Sequence, residues 1–180
     1  DALPVRQWVG GEERRVTLSG QHLAFTVGGD IREDSPARDE TARAIARHVV
    51  AHGGVALVID YGHVRSAPGD TLQAVRGHRF ADPLADPGEQ DLTAHVDFEA
   101  VARAASSSGA MVSGPVGQGE WLARLGIRQR AQSLIASNPD RRHDVDQAVA
   151  RLCGLDEMGE LFKVMAIRGP DWPQPAGFAA

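Results

Sequence analysis

The chain has 180 residues, long enough for one domain with a proper core, and its apolar fraction of 42% excludes disorder along its whole length. A net charge of -5, a pI near 5.8 and no basic block argue against nucleic acid or an anionic membrane as the main partner. Cys153 is the only cysteine, so no internal disulfide forms and a reducing compartment fits, while no apolar run approaches the roughly 18 residues of a membrane span and no signal peptide is expected.

Residues 1–29 carry no helical period. Val5, Trp8 and Val9 precede Gly10-Gly11, and Leu23, Phe25 and Val27 alternate with Ala24 and Thr26 before Gly28-Gly29. Alternation punctuated by glycine pairs predicts a small antiparallel meander or hairpin, a β insertion over residues 5–29. Ser35-Pro36 then opens a helix, with Ser35 as N-cap and Pro36 where its missing N–H costs nothing. Ala42, Ile45, Ala46, Val49 and Val50 form its apolar face, and Gly53 ends it.

The run Val55 to Ile59, set between Gly53-Gly54 and Asp60-Tyr61-Gly62-His63, predicts a strand buried on both faces of a parallel sheet. Ligands of open α/β sheets bind just past the carboxyl ends of such strands, which singles out Asp60, Tyr61 and His63. The plain alternative has Asp60 capping a turn and Gly62 merely letting the chain bend.

Residues 65–91 shift to Gly, Pro, Asp and His with little pattern, as expected of a binding loop or lid. His78, Asp82, Asp86, Asp91, His95 and Asp97 crowd together there, but no pair has helical metal-ligand spacing, so hydrogen-bonded loop residues are the preferred reading and no metal is assigned. Asp97 reads as the N-cap of a helix carrying Phe98, Val101, Ala102 and Ala105. Ala110 to Ser113 is a short strand and Gly114 to Gly119 a turn. Helices follow from Trp121 to Ile135 and from Val145 to Leu152. Leu161 to Ile167 closes the pattern as a strand, where Lys163 suggests an edge or a water-exposed face. The tail, 169–180, reads as loose. Neither a nucleophile elbow nor a convincing nucleotide fingerprint is present, since Gly114 to Gly119 holds a proline and follows only a short strand. The residues alone support a ligand-binding α/β domain.

Several stretches together resemble a known family. They are DALPVRQWV from Asp1, GGVALVIDYGH from Gly53, DTLQA from Asp70, DPLADPGEQDLTAHVDF from Asp82, QGEWLARLGI from Gln118 and MGELFKVMAI from Met158. In that order they resemble the MidA-like class I S-adenosylmethionine-dependent methyltransferases, which include the mitochondrial complex I assembly-factor methyltransferase. The resemblance implies a Rossmann-like α/β fold of which residues 1–168 form the carboxyl-terminal part, with the fifth, sixth and antiparallel seventh strands. It places the main S-adenosyl-L-methionine motif upstream of Asp1, so that this chain alone is expected to be incomplete and inactive. Asp1, Leu3 and Pro4 would line the cofactor pocket, with Asp1 as the last residue of a segment matching the family's Asn-Glu-x-x-Asp.

By the same resemblance the activity is protein arginine methylation, with a subunit of respiratory complex I as substrate, in the bacterial cytoplasm or the mitochondrial matrix. A homodimer is a separate expectation, which the resemblance does not carry. Such a transfer needs donor and acceptor aligned, and carboxylates to orient the guanidinium and receive its proton. Asp60 and Asp97 would supply carboxylates, and Tyr61, His63 and His95 would align or shuttle. The N-cap role competes for Asp97, and a structural hydrogen bond for His95. The runner-up is a non-catalytic protein-binding or assembly module on the same scaffold.

Overall fold

The computed structural model describes residues 4–178. Its amino-terminal part forms two small sheets. β1 (Arg6–Val9) pairs antiparallel with β2 (Glu12–Arg14) across the Gly10-Gly11 turn, while β3 (Val16–Ser19) and β4 (His22–Phe25) form a separate hairpin. β5 (Ile31–Asp34) adds to the other side of β1, giving the order β2-β1-β5. Glycine-punctuated alternation gave the hairpins but not β5, whose Ile-Arg-Glu-Asp sequence is dominated by charge.

α1 (Pro36–His52) starts as its sequence predicts, with Ser35 Oγ accepting the Arg38 N–H. The same hydroxyl donates to the Pro4 carbonyl at 2.7 Å and so fixes the incoming chain against the helix start. Gly53 ends the helix at φ 77°, and the Trp172 indole occupies the space a Cβ would need. The chain then enters β6 (Val55–His63).

Residues 64–97 are more ordered than their composition suggests. β7 (Gln73–Arg76), β8 (Arg79–Ala81) and β9 (Asp91–Thr93) make an antiparallel sheet in the order β8-β7-β9. Strands of three or four residues give too few alternations to stand out in a polar background. β10 (Val96–Asp97) returns the chain parallel to the end of β6, pairing Val96 with Gly62 and Asp97 with His63. α2 (Phe98–Ser106) begins there, its first turn capped by Asp97 Oδ1, which accepts the Ala100 N–H at 3.0 Å.

β11 (Met111–Gly117) extends beyond the expected strand. Gly114 to Gly117 continues the strand through a register shift between Ser113 and Val116 that holds the cis Gly114-Pro115 bond, where the sequence suggested a turn. α3 (Gln118–Arg124), α4 (Ile127–Ser137), α5 (Arg142–Cys153) and the short α6 (Met158–Leu161) follow, and β12 (Phe162–Arg168) enters the sheet.

The principal sheet runs β10-β6-β12-β11, with β12 antiparallel to both β6 and β11. This central place corrects two expectations. β6 is not covered on both faces, because Val55, Leu57 and Ile59 remain 41–48% exposed while Val58 packs toward the core. The doubly buried strand is β12, whose Lys163 to Ile167 are all buried. Lys163 is therefore neither at an edge nor open to water. Its aliphatic stem is buried and its ammonium turns back to the Glu160 carbonyl and Glu160 Oε1.

The core lies between this sheet and the paired helices α1 and α2. Ala42, Ala46 and Ala105 let the helices approach closely around Val49, Phe98, Val101, Met165 and Ile167. Burying each of the large side chains Phe98, Met165 and Ile167 contributes about 1.5–3 kcal/mol. As far as residue 178 the tail is held rather than loose: Trp172 packs on Gly53, the Phe178 ring centroid stands 6.5 Å from that of Trp121, and Arg124 donates to the Gly177 carbonyl.

Candidate active site

Two adjoining clefts open at the carboxyl end of β6. One, of about 580 Å³, lies against the strand and is bounded by Pro4, Asp60, Tyr61, Leu72 and Leu92. The other, of about 540 Å³, lies toward the amino-terminal sheet and is bounded by Trp8, Glu33, His63, Thr71 and Asp97. Val5, Arg38 and His95 border both. Asp60, Tyr61, His63, His95, Asp97 and Pro4 therefore gather around one double cleft. Asp1 and Leu3, the other expected cofactor contacts, lie outside the described residues.

β6 delivers three of these side chains. Asp60 and Tyr61 are consecutive, so they leave opposite faces of the strand. Asp60 Oδ1 accepts the Tyr61 N–H at 2.9 Å, so Asp60 holds its own strand rather than capping a turn. Burial pushes the Asp60 carboxyl above its ordinary value, and that single hydrogen bond only partly opposes the effect. The Tyr61 ring stands edge-on to His95 at 5.9 Å and to Phe162 at 5.6 Å, which gives the wall its aromatic character.

Gly62 does more than let the chain bend. The carbonyl of Val96 lies where a side chain would start, so only glycine lets β10 come alongside β6. That approach places His63, His95 and Asp97 together.

His95 sits between β9 and β10, and its backbone N–H donates to Thr71 Oγ1 at 2.9 Å. Burial holds the imidazole below its ordinary value. The nearby charge of His63 lowers it further, Glu33 opposes, and Lys163 adds a smaller lowering. These effects favour the neutral imidazole, the form able to accept a proton. Asp97 uses both carboxylate oxygens locally, Oδ1 as the cap of α2 and Oδ2 to accept the Ser66 hydroxyl at 2.6 Å. Its capping role and its place in the cleft wall coexist.

Sequence reading missed Glu33, Arg38 and Thr71. Glu33 accepts Gln7 Nε2 at 2.7 Å, the Thr71 N–H at 3.0 Å and the Thr71 hydroxyl. Gln7 Nε2 also donates to Asp70 Oδ1, and Arg14 Nη1 reaches Asp70 Oδ2, both at 2.8 Å. Although burial pushes the Asp70 carboxyl up, the bonds from Arg14 and Gln7 outweigh it and hold it below its ordinary value. Arg38 had a legible sign, since a cation in the first turn of a helix opposes the helix dipole and asks for another purpose. It pairs with Asp39 at 2.7 Å and faces both clefts. Glu33 and Thr71 gave none, because their meeting is set by tertiary folding across 38 positions.

Half-buried carboxylates, an imidazole biased toward its neutral form and an aromatic edge suit a cationic reactant that must be held and then relieved of a proton. Among the described residues, no group of three or more His, Cys, Asp or Glu side chains is arranged to hold a metal. No helix of the described residues is long and apolar enough to cross a membrane.

Residues 13–116 match the model of a family described as S-adenosyl-L-methionine-dependent methyltransferases. The chain is 34% identical over 137 residues to the mitochondrial protein arginine methyltransferase NDUFAF7 homolog of Drosophila melanogaster, covering 75% of this chain and 31% of that protein. It is 31% identical over 168 residues to the mitochondrial protein arginine methyltransferase NDUFAF7 of Mus musculus, covering 92% and 35%. A crystal structure from Burkholderia thailandensis with S-adenosyl-homocysteine bound superposes with a TM-score of 0.81 at 27% identity, covering 100% of this chain and 52% of that one. The chain thus spans about a third of these curated relatives and about half of the solved protein. The sheet order and antiparallel β12 agree with the Rossmann-like class I methyltransferase fold expected from the sequence.

Proposed function

We propose that this chain, which belongs to the family of S-adenosyl-L-methionine-dependent methyltransferases, forms the acceptor side of a protein arginine methyltransferase. The observation that carries this reading is the double cleft: the side chains chosen from sequence line two spaces that share His95 and Arg38. The cofactor, when bound, supplies a methyl group on a positively charged sulfur. The strand-side cleft fits such a group, because Pro4, Leu72 and Leu92 offer apolar surface beside the half-buried Asp60 carboxylate. Pro4, and Asp1 and Leu3 just before it, would help to hold it.

Asp60 orients the cationic guanidinium of the acceptor arginine. The contacting Tyr61 and His95 rings form one wall beside it, and His63 lines the neighbouring space. The neutral His95 imidazole accepts the proton that the guanidinium loses as it is methylated. Asp97, fixed by Ser66 and by its cap bond, keeps a carboxylate beside that proton path. Alignment of donor and acceptor supplies much of the rate.

Residues 1–168 are read as part of one methyltransferase domain. The resemblance in the sequence adds a respiratory complex I subunit as the protein acted on and the mitochondrial matrix or bacterial cytoplasm as the place; a homodimer is the proposed assembly. A non-catalytic binding module is not favoured, since the curated relatives cited above are named as methyltransferases. The test is methyl transfer from labelled S-adenosyl-L-methionine by the protein of the whole reading frame to arginine-containing complex I subunits, with methylarginine identified after hydrolysis. Absence of methylarginine in every subunit overturns the reading.

A further inference from the structure

We propose that Glu33 is a positioning residue for His95, acting through the Thr71 hydroxyl. This rests on the methyltransferase reading above. A threonine hydroxyl has one proton, and Thr71 gives it to Glu33 Oε2. Only lone pairs then remain on Thr71 Oγ1, and one of them receives the His95 N–H at 2.9 Å. The Thr71 N–H is also bound to Glu33, at 3.0 Å, so the residue is gripped at two points. Glu33 thereby dictates the direction of the chain of hydrogen bonds that ends at His95.

The anchor is itself anchored. Glu33 lies on β5 and accepts from Gln7 on the neighbouring β1. Gln7 reaches Asp70 as well, and Arg14 of β2 bonds both Gln7 Oε1 and Asp70 Oδ2 at 2.8 Å. The small sheet β2-β1-β5 is thus pinned to the segment that carries Thr71, and through it to His95. The held backbone and the edge-on contact with Tyr61 together restrict where the His95 ring can stand. Charged and titratable groups meet around this imidazole from several elements: His63 on β6, Glu33 on β5 and Lys163 on β12 act on it, and Arg38 on α1 and Asp97 on β10 border the same cleft. Glu33 is the one that favours the protonated ring, against His63 and Lys163.

The experiment uses isotope-labelled protein of the whole reading frame and reads His95 directly by NMR, alongside methyl-transfer kinetics. Thr71→Val, nearly isosteric, is expected to raise exchange of the His95 amide about tenfold and to lower kcat about tenfold with KM for the methyl donor unchanged. Thr71→Ser keeps the hydroxyl and is expected to restore both. Glu33→Gln removes the charge and replaces one of the two acceptor oxygens with an NH2 donor, so it cannot keep all the bonds from Gln7 and Thr71. It is expected to raise exchange of the His95 amide, lower the titration midpoint of the imidazole, and shift the acid limb of kcat to lower pH. The proposal is overturned if folded Thr71→Val leaves His95 exchange unchanged, or if Glu33→Gln moves neither the midpoint nor the acid limb. A wild-type protein that transfers no methyl group overturns the reading of function and the catalytic half of the proposal, while amide exchange still decides the positional half.

Discussion

Asp60 and Lys163 are direct partners across the antiparallel β6–β12 ladder, yet Lys163 gives its ammonium to Glu160. Asp60 is left with the Tyr61 N–H as its hydrogen-bond donor, which is why partial burial prevails and holds its carboxyl above the ordinary value. A carboxylate kept free of its natural counter-ion stays available to an incoming cation.

Removing the competitor changes this. In Glu160→Gln, Lys163 loses its ion-pair partner, and its ammonium is expected to lean toward Asp60. An opposite charge at about 4–6 Å lowers a carboxyl pKa by about 1 pH unit or more. Carbon-detected NMR titration of Asp60 reads the change, and an unaltered midpoint would mean that the Glu160 carbonyl alone holds Lys163.

Asp60→Asn and His95→Ala are expected to lower methyl transfer by about 10²–10⁴-fold, the usual range for losing an orienting carboxylate or a proton acceptor. Asp60→Asn should leave thermal unfolding nearly unchanged, because an amide oxygen can still accept the Tyr61 N–H. Wild-type rates in either variant would remove that residue from the mechanism.

The depressed titration of His95 has a definite sign in stability. The unfolded chain binds its proton near the ordinary value of about 6.5, while the folded chain resists it. In that window the unfolded state carries more protons, so stability rises with pH and is lost as pH falls below about 6.5 toward the folded value. His95→Asn is expected to flatten this limb when denaturant midpoints are measured from pH 7 to 5.

Gly62→Ala places a methyl group against the Val96 carbonyl, which is backbone and cannot rotate away. The expected cost is about 1–3 kcal/mol from overpacking. Methyl transfer should fall further than stability alone explains, since His63, His95 and Asp97 are brought together by this contact. Urea melts with activity measured on the folded fraction separate the two effects.

The boundaries that local chemistry controls were legible. Ser35-Pro36 and Asp97 announced their helices because caps act within three residues of themselves. Lys163 misled, because a lysine can bury its stem and find a partner three positions back, so charge in a strand does not prove exposure. The site divided along the same line. Asp60, Tyr61 and His63 stood out at the end of an apolar run, whereas Glu33 and Thr71 acquire their role only when distant segments meet.

The middle position of β12 also sets a timetable. β6 and β11 are joined only through it, and Met165 and Ile167 complete the core beneath α1 and α2. A chain emerging from the ribosome must present Val55 to Gly117 before the strand that unites them exists. Neither α1 nor α2 can be sealed until then, and the pairing spans about a hundred positions, a high contact order that favours slow closure. Ribosome-arrested chains cut short of Phe162 should therefore be open to proteases and to chaperones, and the acceptor side of the cleft should take shape only as the last strand slides home.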